Sequence, residues 1–417
     1  VTSLPRTPFA ALPGAIVPEA VAPSDAFTVD STPAGQTDAS ADADRAITEA
    51  TRGPADPGVP AHYGNPLREQ RALDAGKALV DLSTRTVLEL RGEDRLTWLN
   101  SITSGLVTAL AVGDSGETLV LSPQGRIEHA AGLIDDGVSL WLLPESSSAE
   151  ALVSWLLKMR FRARVEILDR TEDLAVIGLL ERDGGIALET LPAAAPNGVP
   201  LIWRDPWTQV VDGGWQYSRP ETHPGVDFTW REVLVPRSAL AEVAAAHPAA
   251  GSLAAEALRV AAWRPRELSE VDDHAIPHET DWLRSAVHLN KGCYRGQETI
   301  AKVHNLGHPP RRFVQLHLDG SEGFLPEPGA EIRAFRDGEP RIVGKVTSVA
   351  NHYEFGPIAL GLIRRAVDPS IELEVARPVG ENEEPGWLAA AQEIIVPSDA
   401  GSVADIPRLP RIGGRRA

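Results

Sequence analysis

The chain has 417 residues, with 40 Lys and Arg against 58 Asp and Glu, a formal charge of −18 at pH 7. That length points to two or three compact units, and the acidic balance argues against nonspecific nucleic-acid binding, which needs clustered positive charge. The 43% hydrophobic content is near the globular average, but no run of about 18 apolar residues occurs, so a membrane-spanning helix is excluded. No basic cluster followed by an apolar core opens the chain, so secretion is not expected, and a single Cys fits a reducing cytoplasm.

Residues 1–62 hold three Arg and eight Asp or Glu among Pro, Ala, Ser and Gly, without apolar periodicity. Such a segment buries too little surface to offset its ordering entropy, so it is expected to be a disordered acidic arm. From Tyr63 the pattern changes. Ala78–Leu82 and Thr86–Leu90 alternate as short strands, and Gly92–Asn100 reads as a capped helix. Glu117–Leu121, the turn Ser122-Pro123-Gln124-Gly125-Arg126 and Ile127–Ile134 predict a hairpin. Ser146–Phe161 has helical apolar spacing at Leu152, Trp155, Leu156 and Met159, whereas Ala163–Leu168 and Leu174–Leu180 alternate as strands.

Pro192–Pro224 is dense in Pro, Gly and Trp and reads as loop or short strands, followed by helices over Ser238–His247 and Ser252–Trp263. Trp207, Trp215 and Trp230 are candidates to wall a pocket, with core packing the stronger reading. Beyond Pro309-Pro310 the runs Phe313–Leu318, Ala330–Ala334, Arg341–Val349 and Ile358–Ile363 predict a small sandwich or barrel. The organisation expected is a disordered arm over 1–62, an α+β domain over 63–308, a β-barrel domain over 309–397 and a disordered Arg-rich tail over 398–417.

The densest chemistry lies in Lys291-Gly292-Cys293-Tyr294-Arg295-Gly296-Gln297-Glu298, which holds the only cysteine. That thiol either fills a hole in a tight turn or reacts, and inward-pointing Lys291 and Arg295 would favour the thiolate. Together with Arg311 and Arg312 these cations are candidates to hold a small anion. The same region contains His288, His304 and His308, which with Cys293 form a candidate zinc set. Asn305, Gly307 and Pro309 argue against a helix that would bring His304 and His308 onto one face.

This octapeptide, with Ala257-Leu258-Arg259, Ile276-Pro277-His278-Glu279 and Arg311-Arg312, resembles the YgfZ-type folate-binding proteins, relatives of the aminomethyltransferase T-protein of the glycine cleavage system. The resemblance spans about Tyr63 to Val396 and is weak over Pro192–Gly225. It implies an α+β fold: an aminomethyltransferase-like folate-binding domain of mixed sheets and helices around a folate-sized cavity, followed by a small C-terminal β-barrel. It also implies a role in making or repairing iron–sulfur enzymes with a bound tetrahydrofolate or derivative.

Folate pairs a stackable pterin with an anionic tail, so its site needs apolar walls plus fixed polar groups and cations. The candidates are Tyr294 for stacking, Gln297 and Glu298 for pterin nitrogens, and Arg259, Lys291, Arg295 or Lys302 for the tail. Arg259, Glu298 and Lys302 serve equally well as structural ion pairs. Cys293 is the candidate reactive group, an accessible thiolate that touches a cluster, a persulfide or a client protein while folate occupies the cavity next to it. It cannot hold a cluster alone, since such centres ordinarily take four ligands.

In catalytic aminomethyltransferases the hairpin turn carries Gly-Gly-Ile followed by paired acids, one of which assists one-carbon transfer. Here the turn reads Gly125-Arg126-Ile127-Glu128-His129, with His129 at the acidic position and Glu128 on the opposite face of the strand. This weakens the reading as a folate-dependent aminomethyl- or methyl-group transferase. A noncatalytic scaffold whose arm recruits clients is the remaining alternative.

Overall fold

The computed structural model describes residues 4–18, 58–218, 221, 223–321, 323–377 and 386–404. The first unit runs α1 (Pro66–Asp74), β1 (Leu79–Asp81), β2 (Leu88–Arg91), α2 (Arg95–Ile102), β3 (Ser115–Leu121), β4 (Ile127–Asp135), β5 (Ser139–Pro144), α3 (Ser146–Met159) and β6 (Glu166–Asp169). It continues through β7 (Leu174–Leu180), β8 (Ile202–Arg204), β9 (Trp230–Pro236), α4 (Leu240–Ala246), β10 (Ala249–Ala250), α5 (Ser252–Ala261), α6 (Glu267–Glu270), α7 (Leu283–Ala286) and α8 (Gln297–Leu306).

Its strands form two five-stranded sheets, ordered β3-β4-β5-β2-β6 and β10-β1-β7-β9-β8. Pairing is antiparallel throughout except for β1 with β10. Apolar residues on both sides of β7 make it a central strand, buried along almost its whole length. Between the sheets, Ile134, Trp141 and Leu143 meet Val80, Val176 and Leu234 in one core, joined by Leu258 of α5. On the outer face of the first sheet, Leu152 and Leu156 of α3 pack with Trp98 and Leu99 of α2. Their spacing along α3 places both on one helical face.

The second unit is a closed barrel of β11 (Arg311–Leu318), β12 (Glu331–Arg336), β13 (Glu339–His352), β14 (Gly356–Arg364), β15 (Leu373–Ala376) and β16 (Trp387–Ile394), ordered β11-β14-β13-β12-β15-β16. Alternate residues of β11 divide the work: Val314 and Leu316 fill the barrel, whereas Phe313 packs outward with Ala257 and Val260 of α5. The expected α+β architecture with a terminal barrel is therefore the one observed.

Three expectations are corrected. Residues 4–18 are not a free arm: Phe9 is fully buried in the core beneath α4, and Ile16 bridges His62. Val59 is also fully buried, so structure begins before residue 63. The averaged composition hides these two apolar anchors; residues 19–57 lie outside the described set. At the other end, Ala400 is buried and the Val403 N–H donates to the His304 carbonyl, so residues 398–404 are docked, while 405–417 lie outside it. Finally, α8 reaches Leu306 and takes Gly307 as its C-cap, which puts His304 and Asn305 inside the helix. Gly307 and Pro309 end this helix instead of forbidding it.

Candidate functional site

A cavity of about 120 Å³ lies between the two sheets, lined from one side by Glu117 and Ala130–Gly132, from the other by Trp203, Trp230 and Glu232, and by α5 through Ser252, Glu256 and Arg259. Its aromatic wall includes Phe228 and Trp230, whose rings stack at 6.0 Å with an interplanar angle of 6°. Trp203 and Trp282 complete that wall. A Cβ at Gly178 of β7 would come within 2.3 Å of the Trp230 ring, so glycine there is what admits the indole.

Ion pairs fill the polar part of the lining. Arg264 spans Glu117 and Asp205, at 2.5 and 2.9 Å, with its guanidinium 5.4 Å from the Trp207 ring centroid. Arg266 binds Glu145 at 2.7 Å and Arg85 binds Glu232 at 3.0 Å. Arg259 spends its donors on Glu256, Glu270, the Arg264 carbonyl and Ser348 Oγ, so it ties the cavity helix to β13 of the barrel. Burial raises the Glu232 and Asp205 carboxyls above the usual carboxylate range even with an arginine beside each. Against the same burial, Arg266 and Arg85 hold Glu145 low.

The cysteine octapeptide is elsewhere. None of its residues lines this cavity or the second one beside it, so of the expected folate residues only Arg259 reaches the cavity, and its guanidinium is committed to internal partners. Lys291, expected at the folate tail, is turned into the fold. Its ammonium is buried and donates to the carbonyls of Asn100, Thr103 and Gly105, closing the chain that leaves α2. Tyr294 is buried with Leu121 and Ile127, its ring 5.3 Å beneath the Lys291 ammonium.

Arg295 pairs with Glu128 at 2.7 Å, and Gln297 donates to the Lys291 carbonyl. Glu298 and Lys302 are exposed on α8 and line neither cavity. The octapeptide is thus a folded loop that runs into the start of α8 and is clamped to the β3–β4 hairpin, and Cys293 stands exposed on it. Glu128 and His129 do take opposite faces: the first holds Arg295, while His129 Nδ1 lies 3.6 Å from Glu267.

The other candidate cations have structural partners. Arg311 bridges Asp272 and Glu279, and Arg312 is fully buried, held by Gln392 and the Val367 carbonyl. The zinc set is dispersed: His304 Nδ1 meets the Tyr217 hydroxyl, His308 Nδ1 meets the Ala400 carbonyl, and His288 Nδ1 accepts from the Asn290 N–H. Among the described residues no three His, Cys, Asp or Glu side chains are placed to share a metal ion.

Trp207 is core, as expected, Trp230 serves core and cavity together, and Trp215 is part-exposed against His304. The residues that do line the cavity, Trp203, Phe228, Glu232, Arg264, Glu267 and Trp282, belong to no compact motif. Their only sequence signal is the density of tryptophan and the unusual run Arg264-Pro265-Arg266.

No family model matches the chain. It is 27% identical over 317 residues, 74% of this chain and 70% of the relative, to the putative transferase At1g60990, chloroplastic, of Arabidopsis thaliana. With the iron-sulfur cluster assembly factor IBA57 homolog, mitochondrial, of Mycosarcoma maydis it shares 24% over 339 residues, covering 70% and 76%. An aminomethyltransferase of Symbiobacterium thermophilum is 26% identical over 309 residues, covering 70% and 79%. The crystal structure of glycine cleavage system aminomethyltransferase T from Bartonella henselae matches at a TM-score of 0.61 and 18% identity, over 86% of this chain and 97% of that one. The fold is that of the aminomethyltransferases. No helix among the described residues is long and apolar enough to cross a membrane.

Proposed function

We propose that this chain is a tetrahydrofolate-binding protein of the YgfZ type that assists assembly or repair of iron–sulfur clusters in client enzymes. The observation that carries the reading is the cavity itself: in an aminomethyltransferase fold, it is walled by the stacked Phe228 and Trp230, with Glu232 held beside them by the Trp230 indole N–H at 3.2 Å. Aromatic walls fit the pterin, and a buried carboxyl fits its N–H groups. The relatives named as iron–sulfur cluster assembly factors support the cellular role.

Cys293 is exposed and outside the cavity, so in this reading thiol and folate act at separate places. The thiol meets the cluster, persulfide or client while the folate occupies the interior. A single exposed thiol suits a reducing compartment, and the cytoplasm is the one we assign. Calorimetric titration with tetrahydrofolate tests the reading: wild type binds, Trp230→Ala weakens binding about tenfold or more, and Cys293→Ala binds normally while failing to restore iron–sulfur enzyme activity in cells that lack the protein. Absence of binding by wild type rejects the folate site. Full restoration by Cys293→Ala rejects the thiol.

A further inference from the structure

Five of the cavity's carboxylates carry an arginine: Glu117 and Asp205 share Arg264, Glu145 holds Arg266, Glu232 holds Arg85 and Glu256 holds Arg259. Glu267 differs. One of its oxygens accepts the Ala130 N–H at 2.8 Å; the other has, among the described residues, only His129 Nδ1 at 3.6 Å, beyond hydrogen-bonding reach. Its side chain is 9% exposed, and both Glu267 and Ala130 line the cavity. A carboxylate offers about four acceptor positions, and this second oxygen is not sealed from open space, so a further donor can reach it. The Ala130 N–H also fixes this carboxylate against β4, so it presents its open oxygen without a further ordering cost.

We infer that Glu267 reads the oxidation state of the ligand, accepting an N–H from the saturated ring of a reduced pterin and rejecting the oxidised form. The inference rests on the folate reading of the cavity. The chemistry is a matter of sign: a tetrahydropterin has N–H groups on its saturated ring, whereas the fully oxidised ring turns lone pairs outward at the same nitrogens. A carboxylate accepts from the first and repels the second. Because Glu267 lies 138 positions beyond His129 and reaches the same strand from α6, neither the hairpin nor the cysteine loop signals it.

The test is anaerobic calorimetry of wild type and Glu267→Gln with tetrahydrofolate and with folic acid. Wild type is expected to prefer tetrahydrofolate about tenfold or more, the range of a hydrogen bond to a charged group. Glu267→Gln keeps an oxygen for the Ala130 N–H and adds a donor, so it brings the two ligands within about threefold, with folic acid binding held or improved. An unchanged ratio in this variant overturns the inference while leaving the folate site standing, and equal affinities in wild type overturn it too. Wild type that binds neither ligand removes the folate reading and the inference with it. Should Glu267→Gln fail to fold by its thermal melt, Glu267→Asp replaces it. Withdrawing the carboxylate by one methylene is expected to cut the ratio at least about threefold, and an unchanged ratio again overturns the assignment.

Discussion

Replacing Lys291 by Met separates a structural cation from a ligand-binding one. The stem is kept, but the ammonium that three carbonyls share is gone. Each hydrogen bond to a charged donor is worth about 1.5–3 kcal/mol net, the three are not additive, and removal also relieves the burial of a charge. Stability is therefore expected to fall by about 3 kcal/mol at pH 7. Because Lys291 lines neither cavity, tetrahydrofolate affinity should stay within about twofold.

The pH dependence gives a second signature. Burial pushes the Lys291 ammonium from 10.5 down to about 8, so between those values the unfolded chain holds a proton that the folded chain has released. Wild-type stability gains from this group as pH rises through that window, and Lys291→Met loses the gain. Urea unfolding followed by tryptophan fluorescence at pH 7, 8 and 10 measures both effects. A loss under about 1 kcal/mol together with tenfold weaker folate binding would refute the structural role and return Lys291 to the ligand.

Arg264→Met strands Glu117 and Asp205 in the interior and should cost about 3–5 kcal/mol at pH 7.5. Lowering the pH protonates the stranded carboxyls and shrinks the deficit, and Glu117→Gln with Asp205→Asn in the same chain should recover most of it; an equal deficit at pH 5.5 in denaturant melts would show that the network is already hydrated. His278 and His223 are both pushed by burial to about 3, so the stability they protect is complete above pH 6.5 and is lost as pH falls toward 3. Each contributes a slope of about 1.4 kcal/mol per pH unit below 6.5, and His278→Gln should remove one share of it from the unfolding midpoints at pH 7, 6 and 5.

Much of the architecture is legible from periodicity. The β3–β4 hairpin, α3, α5 and the start of the barrel at Arg311 follow from alternation, 3.6-residue spacing and Pro309-Pro310, because local sterics and one buried face suffice to specify them. Phe9 and the extent of α8 are not legible in this way, because a window of composition does not register one anchoring side chain, nor does a residue type say whether it interrupts a helix or ends it.

The site was harder. The octapeptide is conspicuous in sequence, yet Lys291, Tyr294, Arg295 and Gln297 serve a loop that clamps to Glu128 and to the end of α2, leaving Cys293 at the surface. The cavity draws Trp203, Glu232, Arg264, Glu267 and Trp282 from separate elements, and two arginine–carboxylate bridges across it join residues about 147 positions apart. The chain alone specifies its strands, its helices and the presence of one unusual thiol, since these depend on neighbours within a few residues. Which charges are paired, and which carboxylate lining the cavity lacks an arginine among the described residues, depends on how two sheets close over one another, and only the tertiary structure decides that.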